Sequence, residues 1–407
     1  VAWCSYFEPV SSASTKGKKR AISSCLSVFD AMTQYPYAAR VEFVIELATR
    51  LHTYGTTAQR LEGAIEGVAS RLGLRCAPWA NPTGLILSLS DAARPDTLAN
   101  TTQVIRLAPG DVDLRKLCEV DAIAERVLRD EISVTEATAA LHALDAAPSR
   151  AEILISTLAF GLVSAAVAAL LRSTWPDVAA AGGIGLLIGT IYALGAHRPR
   201  LSESMDLIAA LLATFVAALL ATFVVPLSLK TVIVASVIVL MPGMMLTNAV
   251  SELTSQQLVS GTARFAGAVA VLLKLAFGSM VALQLAELMH WTPKEFLDSA
   301  SIPSWVEWVA LPAAALAFAI LFKASWRDYP LVMAAAIVGY AVTRVSGLWL
   351  SSTSAVFVAS LVITVWSNVY ARKANRPGAL IRVSGIILMV PGSVGFRGMT
   401  SMFEQNV

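Results

Sequence analysis

Two proline–glycine pairs interrupt apolar runs in this sequence. Pro242-Gly243 ends "VIVASVIVLMPG" and Pro391-Gly392 ends "IRVSGIILMVPG". Proline removes a backbone donor and clashes with the preceding turn, so each pair is expected to break a helix. A break leaves backbone groups without helical partners, and in a membrane these are tolerated only where protein or a water-filled cavity covers them. The chemistry predicted at both positions is the binding of a small polar ligand.

Polar side chains follow the first pair. Thr247 and Asn248 could hydrogen-bond the polar ends of an amino acid, or they could cap the loosened helix. Glu252 and Arg264 flank the polar turn "LTSQQLVSGTA", where they could take part in coupling or form an interfacial ion pair.

Three further side chains are candidates. Lys274 is the one charge in the apolar stretch 265–286, about 15 Å along a helix from Arg264. Charges at such depth are usually functional, so we expect Lys274 to face the bundle interior and Lys274→Met to reduce transport tenfold or more. The alternative is a snorkelling lysine. After the second pair, Ser393 and Arg397 could contact a ligand carboxylate, or Arg397 could be an interface anchor.

The elements that must position these residues are membrane helices. Residues 1–150 carry 33 of the 59 charged side chains, whereas the remaining 257 positions carry 26. Apolar segments of about 20 residues, the length that spans a bilayer, begin after residue 150. The nine predicted spans are 152–171, 176–195, 206–225, 230–249, 265–287, 304–322, 329–346, 353–371 and 381–399.

An internal repeat relates these spans. The two proline–glycine pairs are 149 residues apart, and the same offset relates the first span to the sixth. A unit of five spans turns the next copy upside down, and inverted repeats with broken helices indicate a transporter. The predicted fold is therefore an α-helical polytopic membrane protein with two inverted five-helix repeats, at 151–290 and 302–407. The second repeat shows four helices, so we expect a truncated chain or a missing tenth helix.

A small α/β domain is predicted before the membrane part, at 38–145, and residues 1–37 are predicted to be a basic flexible tail. Helical spacing begins at 38, two strands flank the turn Asn81–Gly84, and a third strand and two helices follow. Capping-box spacings occur at Thr56 with Gln59 and at Ser133 with Glu136. Either Asp111 or Asp113 opens the helix after the third strand. The polar residues His52, Asp111, Asp113, Asp121 and His142 form no recognisable triad or metal cluster.

Basic residues predict the orientation. With the α/β domain in the cytoplasm, eight basic residues lie in inside loops and four in outside loops, as the positive-inside rule requires. The four cysteines, at 4, 25, 76 and 118, lie in the first 150 residues without CxxC spacing, which suits a reducing compartment. We therefore predict a multi-pass protein of the inner (plasma) membrane with a cytoplasmic N-terminal domain.

Several stretches of the chain resemble the threonine/serine exporter family. In the membrane part these are "MPGMMLTNAVSELTSQQLVSGTARFAGAV" and "GIILMVPGSVGFRGM", and in the α/β domain "NPTGLILSLS" and "ISVTEATAALHAL" are similar. The resemblance covers about residues 40–400. It implies a bacterial secondary transporter, an antiporter that exports threonine and serine with the proton as coupling ion. The family usually has Asp where this chain has Glu252, and a further acid near Gln256-Gln257.

Two other function classes compete with the transporter. A membrane-anchored enzyme needs a catalytic constellation in residues 40–145, and a channel needs a filter motif; the sequence shows neither. We predict no enzymatic activity, no cofactor, no metal and no nucleic-acid partner. The expected partners are the amino-acid substrate, the proton and membrane lipid, and a homo-oligomer is left open.

Overall fold

A computed structural model of the chain describes residues 35–93, 101–195, 203–294, 302–387 and 389. These residues form fourteen α-helices, three strands and one 3₁₀ turn. The N-terminal elements are α1 Tyr37–Thr53, α2 Ala58–Arg71, β1 Leu74–Asn81, β2 Gly84–Asp91, β3 Thr101–Arg106, α3 Leu114–Leu128 and α4 Val134–Ala143. The remaining helices are α5 Arg150–Leu170, α6 Trp175–Gly195, α7 Met205–Phe223, α8 Leu229–Ser236, α9 Gly243–Thr254, α10 Leu258–Leu288, α11 Trp305–Leu321, α12 Tyr329–Ser346, α13 Ser352–Ala374 and α14 Ala379–Ile387.

The three strands form one antiparallel sheet in the order β1-β2-β3. Trp79 pairs with Ile86, and Ile86 pairs with Val104. Successive side chains of a strand point to opposite faces, and β2 accordingly buries alternate residues, Leu85 and Leu87 among them. The two strands and the turn predicted around Asn81–Gly84 are confirmed.

Capping residues mark the starts of α3 and α4 in the α/β domain. Ser133 and Glu136 form the predicted capping box at the start of α4. Asp113, one of two candidates, caps α3 by accepting a hydrogen bond from the Lys116 amide at 3.0 Å. The capping box predicted at Thr56 and Gln59 is wrong: α2 begins at Ala58, and its N-cap residue makes no side-chain bond.

The membrane helices follow the predicted spans closely. Six of the described helices are long and apolar enough to cross a membrane, and a broken helix, α8 with residues 238–254, adds a seventh. The sixth predicted span corresponds to α11, a shorter apolar helix of 17 residues. Helix α14 contains the first part of the ninth predicted span, and most of the rest of that span lies outside the described residues. Residues 1–34 of the predicted tail also lie outside them.

Small residues allow α5 and α6 to approach closely. A Cβ atom added to Gly185 would lie 2.5 Å from the Ser164 hydroxyl and 2.7 Å from the Phe160 carbonyl oxygen. Gly161 and Gly189 are similarly confined by the facing helix. Close backbone approach through small residues is the usual means of helix association in membranes, where lipid supplies no hydrophobic driving force.

The chain divides into two compact units. The first comprises residues up to 147 together with 248–263 and 365–379. The second comprises 148–247, 264–364 and the residues from 380 onward. The α/β domain thus shares a unit with the turn between α9 and α10.

Candidate functional site: the interrupted helix and its surroundings

The α-helix is interrupted between Ser236 and Gly243, so the break ends at the predicted pair Pro242-Gly243 and begins about six residues before it. The segments 229–236 and 238–254 are bent by 51° relative to each other. After α8 ends at Ser236, the Leu240 amide donates to the Val237 carbonyl at 2.9 Å, one residue tighter than an α-helix. The Gly243 amide then reaches back only to Met241, at 2.8 Å. Helical bonding resumes where the Leu246 amide donates to the Pro242 carbonyl. The backbone therefore changes its hydrogen-bonding pattern over about one turn.

A serine from α5 satisfies one carbonyl at this break. The Ser164 hydroxyl donates to the Ser236 carbonyl oxygen at 3.3 Å, and both residues are fully buried. The Ser236 hydroxyl itself donates to the Val232 carbonyl at 2.7 Å. Buried backbone groups without a partner are costly, so Ser164 stabilises the interrupted conformation. Its role was missed because a serine within an apolar run gives no signal in the sequence.

Thr247 and Asn248 lie in the first turns of α9, and both are half-buried. The Thr247 hydroxyl donates to the Gly243 carbonyl at 3.1 Å. A bond from a threonine hydroxyl to the carbonyl four residues earlier is what we expect if Thr247 caps the loosened helix, which was the alternative to ligand binding. The oxygen lone pairs of the same hydroxyl can still accept a bond from a ligand, so both roles remain compatible.

Asp177 anchors the start of the broken helix. It is fully buried near the beginning of α6. One carboxylate oxygen accepts from the Thr174 amide at 3.0 Å and from the Thr174 hydroxyl at 2.8 Å. The other accepts from the Ser228 amide, at the N-terminus of α8, at 2.8 Å. The carboxylate therefore fixes α8 to α6, a contact that sequence spacing did not reveal.

Glu252 and Arg264 lie on either side of the turn between α9 and α10. Glu252 is buried, and its carboxylate accepts hydrogen bonds from the Ala58 amide at 3.0 Å and the Ser260 hydroxyl at 2.8 Å. Arg264 is half-buried in α10. The geometry gives Glu252 a partner in the α/β domain and one on α10, whereas the sequence suggested either a role in coupling or an interfacial ion pair with Arg264.

Lys274 does not have the interior position predicted for it. The side chain is half-exposed, and its ammonium donates to the Glu203 carbonyl oxygen at 2.8 Å, two residues before α7 begins. The physical reason is the length of α10: 31 residues span about 46 Å, more than the roughly 30 Å hydrocarbon core. The middle of α10 is thus level with the start of α7. This placement favours the snorkelling alternative.

We now expect Lys274→Met to change transport by less than about twofold, because the substitution removes only one bond to an exposed carbonyl and keeps the volume of the stem. The measurement is the initial rate of amino-acid exchange in proteoliposomes, with Lys274→Arg as the matched variant that keeps the charge. A fall of tenfold or more in the methionine variant alone would restore the coupling role inferred from the sequence.

Glu307, in the first turn of α11, joins the ends of three helices. Its carboxylate meets the Arg172 guanidinium at 2.9 Å after the end of α5, and accepts from the Tyr340 hydroxyl at 2.8 Å on α12. Arg344, near the end of α12, lies at 3.5 Å. The Glu307 side chain is 15% exposed, whereas those of Arg172 and Arg344 are 53% and 59% exposed, so the network connects the first helix of each predicted repeat at a partly solvated position. Sequence reasoning missed it because its members are far apart in the chain.

Four buried hydroxyls have no hydrogen-bond partner within the described part of the chain: Thr56 before α2, and, on the membrane helices, Thr214 on α7, Ser279 on α10 and Ser384 on α14. Buried polar groups are usually paired with protein or ordered water, so each such group calls for an explanation. Ser384 precedes the second proline–glycine pair by seven residues. It is therefore an additional candidate for contact with a ligand or water.

The other predicted residues of the second pair lie outside the described residues: Pro391, Gly392, Ser393 and Arg397. Their part of the site stays a prediction from the sequence.

The polar residues of the α/β domain have structural partners. The His52 ring contacts the Asn81 carbonyl oxygen at 3.0 Å, and the His142 ring contacts the Arg50 guanidinium at 3.2 Å. Burial raises the pKa of the Cys76 thiol to about 12, so it is not an activated nucleophile. Within the described ranges, no group of three or more His, Cys, Asp or Glu side chains could hold a metal ion.

Several spanning helices, one of them broken around buried polar groups, define a polytopic helical membrane protein. Two family profiles match it: one described as "Putative threonine/serine exporter" over residues 42–286, and one described as "Threonine/Serine exporter, ThrE" over residues 307–407. The chain belongs to the threonine/serine exporter family, and this family implies membrane transport.

Curated relatives in yeasts are also membrane proteins by name. "Pheromone-regulated membrane protein 10" of Eremothecium gossypii is 25% identical over 365 residues, which cover 87% of this chain and 48% of that protein. The proteins of the same name in Zygosaccharomyces rouxii and Saccharomyces cerevisiae are 25% and 24% identical, with 36% and 46% of their lengths covered. This chain therefore spans about half or less of these relatives. No solved structure matches it.

Proposed function

We propose that this protein is a secondary transporter that exports small hydroxy amino acids, threonine and serine, across the inner membrane with the proton as coupling ion. The observation that carries the proposal is the broken helix at Pro242-Gly243 in a chain of the exporter family. Broken helices place backbone dipoles at the bilayer midplane, where transporters bind substrate. Thr247 and Asn248 lie just after the break and provide hydroxyl and amide groups suited to a small zwitterion.

The inverted repeat is part of the proposal, and the packing of α5 against α11 supports it. Ala169, near the end of α5, clusters with Val306 at the start of α11. Ala159, in the first half of α5, clusters with Phe318 near the end of α11. The first helices of the two repeats are therefore antiparallel, as a two-fold axis in the membrane plane requires.

The orientation follows from charge. The excess of basic residues in the loops assigned to the inside supports a cytoplasmic α/β domain. Export then means that substrate reaches the site from the side of that domain. The competing function, a membrane-anchored enzyme, gains no support from three polar candidates of the domain: His142 contacts the Arg50 guanidinium, His52 contacts a backbone carbonyl, and Asp113 caps α3.

Counterflow in proteoliposomes tests the transport function. We expect unlabelled internal threonine or serine to accelerate uptake of labelled threonine, and an imposed proton gradient to increase the accumulated level. Valine is the control, since it has the shape of threonine with a methyl group in place of the hydroxyl, and a site that hydrogen-bonds a hydroxyl rejects the analogue that lacks it.

Three outcomes would contradict parts of the proposal. Absence of counterflow would exclude an exchanger of these amino acids and favour the enzyme. Flux without trans-stimulation would indicate a channel. Equal exchange of valine would show that the hydroxyl is not recognised.

A further inference from the structure

Helix α2 of the α/β domain begins without a cap from its own sequence. The side chain of its N-cap residue, Thr57, makes no capping hydrogen bond. The first amide groups of a helix have no partner within the helix, and the helix dipole favours a negative charge there. Here the Ala58 amide donates to the carboxylate of Glu252 at 3.0 Å, from a position 194 residues further along the chain.

The same carboxylate also holds the turn between α9 and α10 together. Its second oxygen accepts from the Ser260 hydroxyl at 2.8 Å, and both side chains are about 1% exposed. Hydrogen bonds to an ionised group are roughly twice as strong as those between neutral groups. One buried carboxylate thus joins three helices: α2, α9 and α10.

A second contact lies beside the first. The Gln257 side-chain amide donates to the Glu62 carboxylate on α2, and the other oxygen of Glu62 accepts from the Ala80 amide of β1 at 2.8 Å. Burial raises the pKa of the Glu62 carboxyl, while these two hydrogen bonds act in the opposite direction. The turn is therefore attached to both a helix and a strand of the domain.

The turn itself is tightly built. Gln256 has a left-handed backbone with φ of 64°, and the Gln257 amide donates to the Glu252 carbonyl at 2.9 Å. A Cβ atom on Gly261 would lie 2.8 to 2.9 Å from Leu253, so the ends of α9 and α10 meet closely. Movement of the turn must therefore move α9 with it.

We propose that the α/β domain sets the position of α9, and through it the conformation of the break at Pro242-Gly243, by way of the Glu252 carboxylate. Helix α9 is continuous from Gly243 to Thr254, so a displacement at Glu252 is carried to the first residue after the break. The domain is a control element for the broken helix and Glu252 is its positioning residue. The consequence for export rests on the proposed function; the mechanical link does not.

Amide hydrogen exchange of the whole chain in detergent tests this link. The exchange rate is measured separately for α2 and for residues 238–247. Glu252→Ala should increase exchange at both segments by about tenfold or more, since it removes a buried charged acceptor. Glu252→Gln keeps an oxygen for the Ala58 amide and a nitrogen that can donate to Ser260, so it should stay within about threefold of the unmodified protein.

The double variant Thr57→Asp with Glu252→Ala separates capping from control. Aspartate at the N-cap accepts bonds from the first-turn amides and restores a local cap. We expect it to recover protection of α2 but not of residues 238–247. Thr57→Asp alone is the matched control and should leave both segments protected.

Two results would overturn the proposal. If the double variant recovers protection from exchange in both segments, Glu252 acts only as a helix cap. If Glu252→Ala leaves exchange at residues 238–247 unchanged, the domain does not act on the break. Neither result depends on which substrate is carried, so a protein without threonine counterflow can still pass or fail this test.

Discussion

Replacing Gly339 with alanine is expected to destabilise the protein severely, by about 3 kcal/mol or more. A Cβ atom at this position on α12 would lie 2.3 Å from the Gly385 carbonyl oxygen and 3.1 Å from the Met389 side chain. The Gly385 obstacle is backbone, which cannot rotate away as a side chain could, so α12 and α14 must separate. Because α14 leads to the second proline–glycine pair, exchange activity should fall together with stability.

Gly183→Ala is the matched control for this change. Gly183 lies in the middle of α6, is exposed, and a Cβ atom there would meet nothing within 4 Å. Alanine is the better helix former by about 0.8–1.0 kcal/mol, so this variant should be as stable as the unmodified protein or slightly more so. The measurement is thermal unfolding in detergent, followed by tryptophan fluorescence. Equal melting temperatures for the two variants would mean that α12 and α14 are not in contact.

The helices and the break could be predicted from the sequence because their causes are local. Apolar segments of bilayer length gave most helix bounds within a few residues, since every backbone group in lipid must be paired within a helix. The exception is α10, which begins at Leu258, seven residues before the predicted span 265–287. Pro242, which cannot donate to the preceding turn, located the interruption to within about two turns, because the α-helix ends at Ser236 and resumes at Gly243. The capping box at Ser133 needs only residues three positions apart, and it too was correct.

The partners of the polar residues could not be predicted, because they depend on contacts between distant parts of the chain. The cap of α2 comes from Glu252, so the local candidate at Thr56 was wrong. The position of Lys274 along the bundle depends on how far α10 extends beyond the start of α7. Apolar composition alone does not predict how two helices are aligned along their length. The sequence does not distinguish Ser164 and Asp177 from other polar residues, because their partners, Ser236 and Ser228, are 72 and 51 residues away in the chain.

Replacing Asp177 with alanine is expected to lower the stability of the protein about as much as Gly339→Ala does. The reason here is electrostatic. The fully buried carboxylate accepts three hydrogen bonds, two from Thr174 and one from the Ser228 amide. Removing a buried acceptor leaves its donors without partners, and bonds to a charged group contribute about 1.5–3 kcal/mol each. Since such contributions are not additive, we expect a loss of about 3–5 kcal/mol in total. The melting temperature of the purified protein should fall by roughly 10 °C.

Two comparison variants identify the cause. Asp206→Ala is the matched control, because Asp206 also lies in the first turn of a membrane helix but is only half-buried, and it accepts a hydrogen bond from the Tyr192 hydroxyl at 2.6 Å. Its loss should cost about 1 kcal/mol. Asp177→Asn keeps one oxygen but turns an amide group toward a donor, so its melting temperature should be intermediate. If Asp177→Ala melts no lower than Asp206→Ala, the start of α8 is held by apolar packing, and the broken helix needs no carboxylate to fix it.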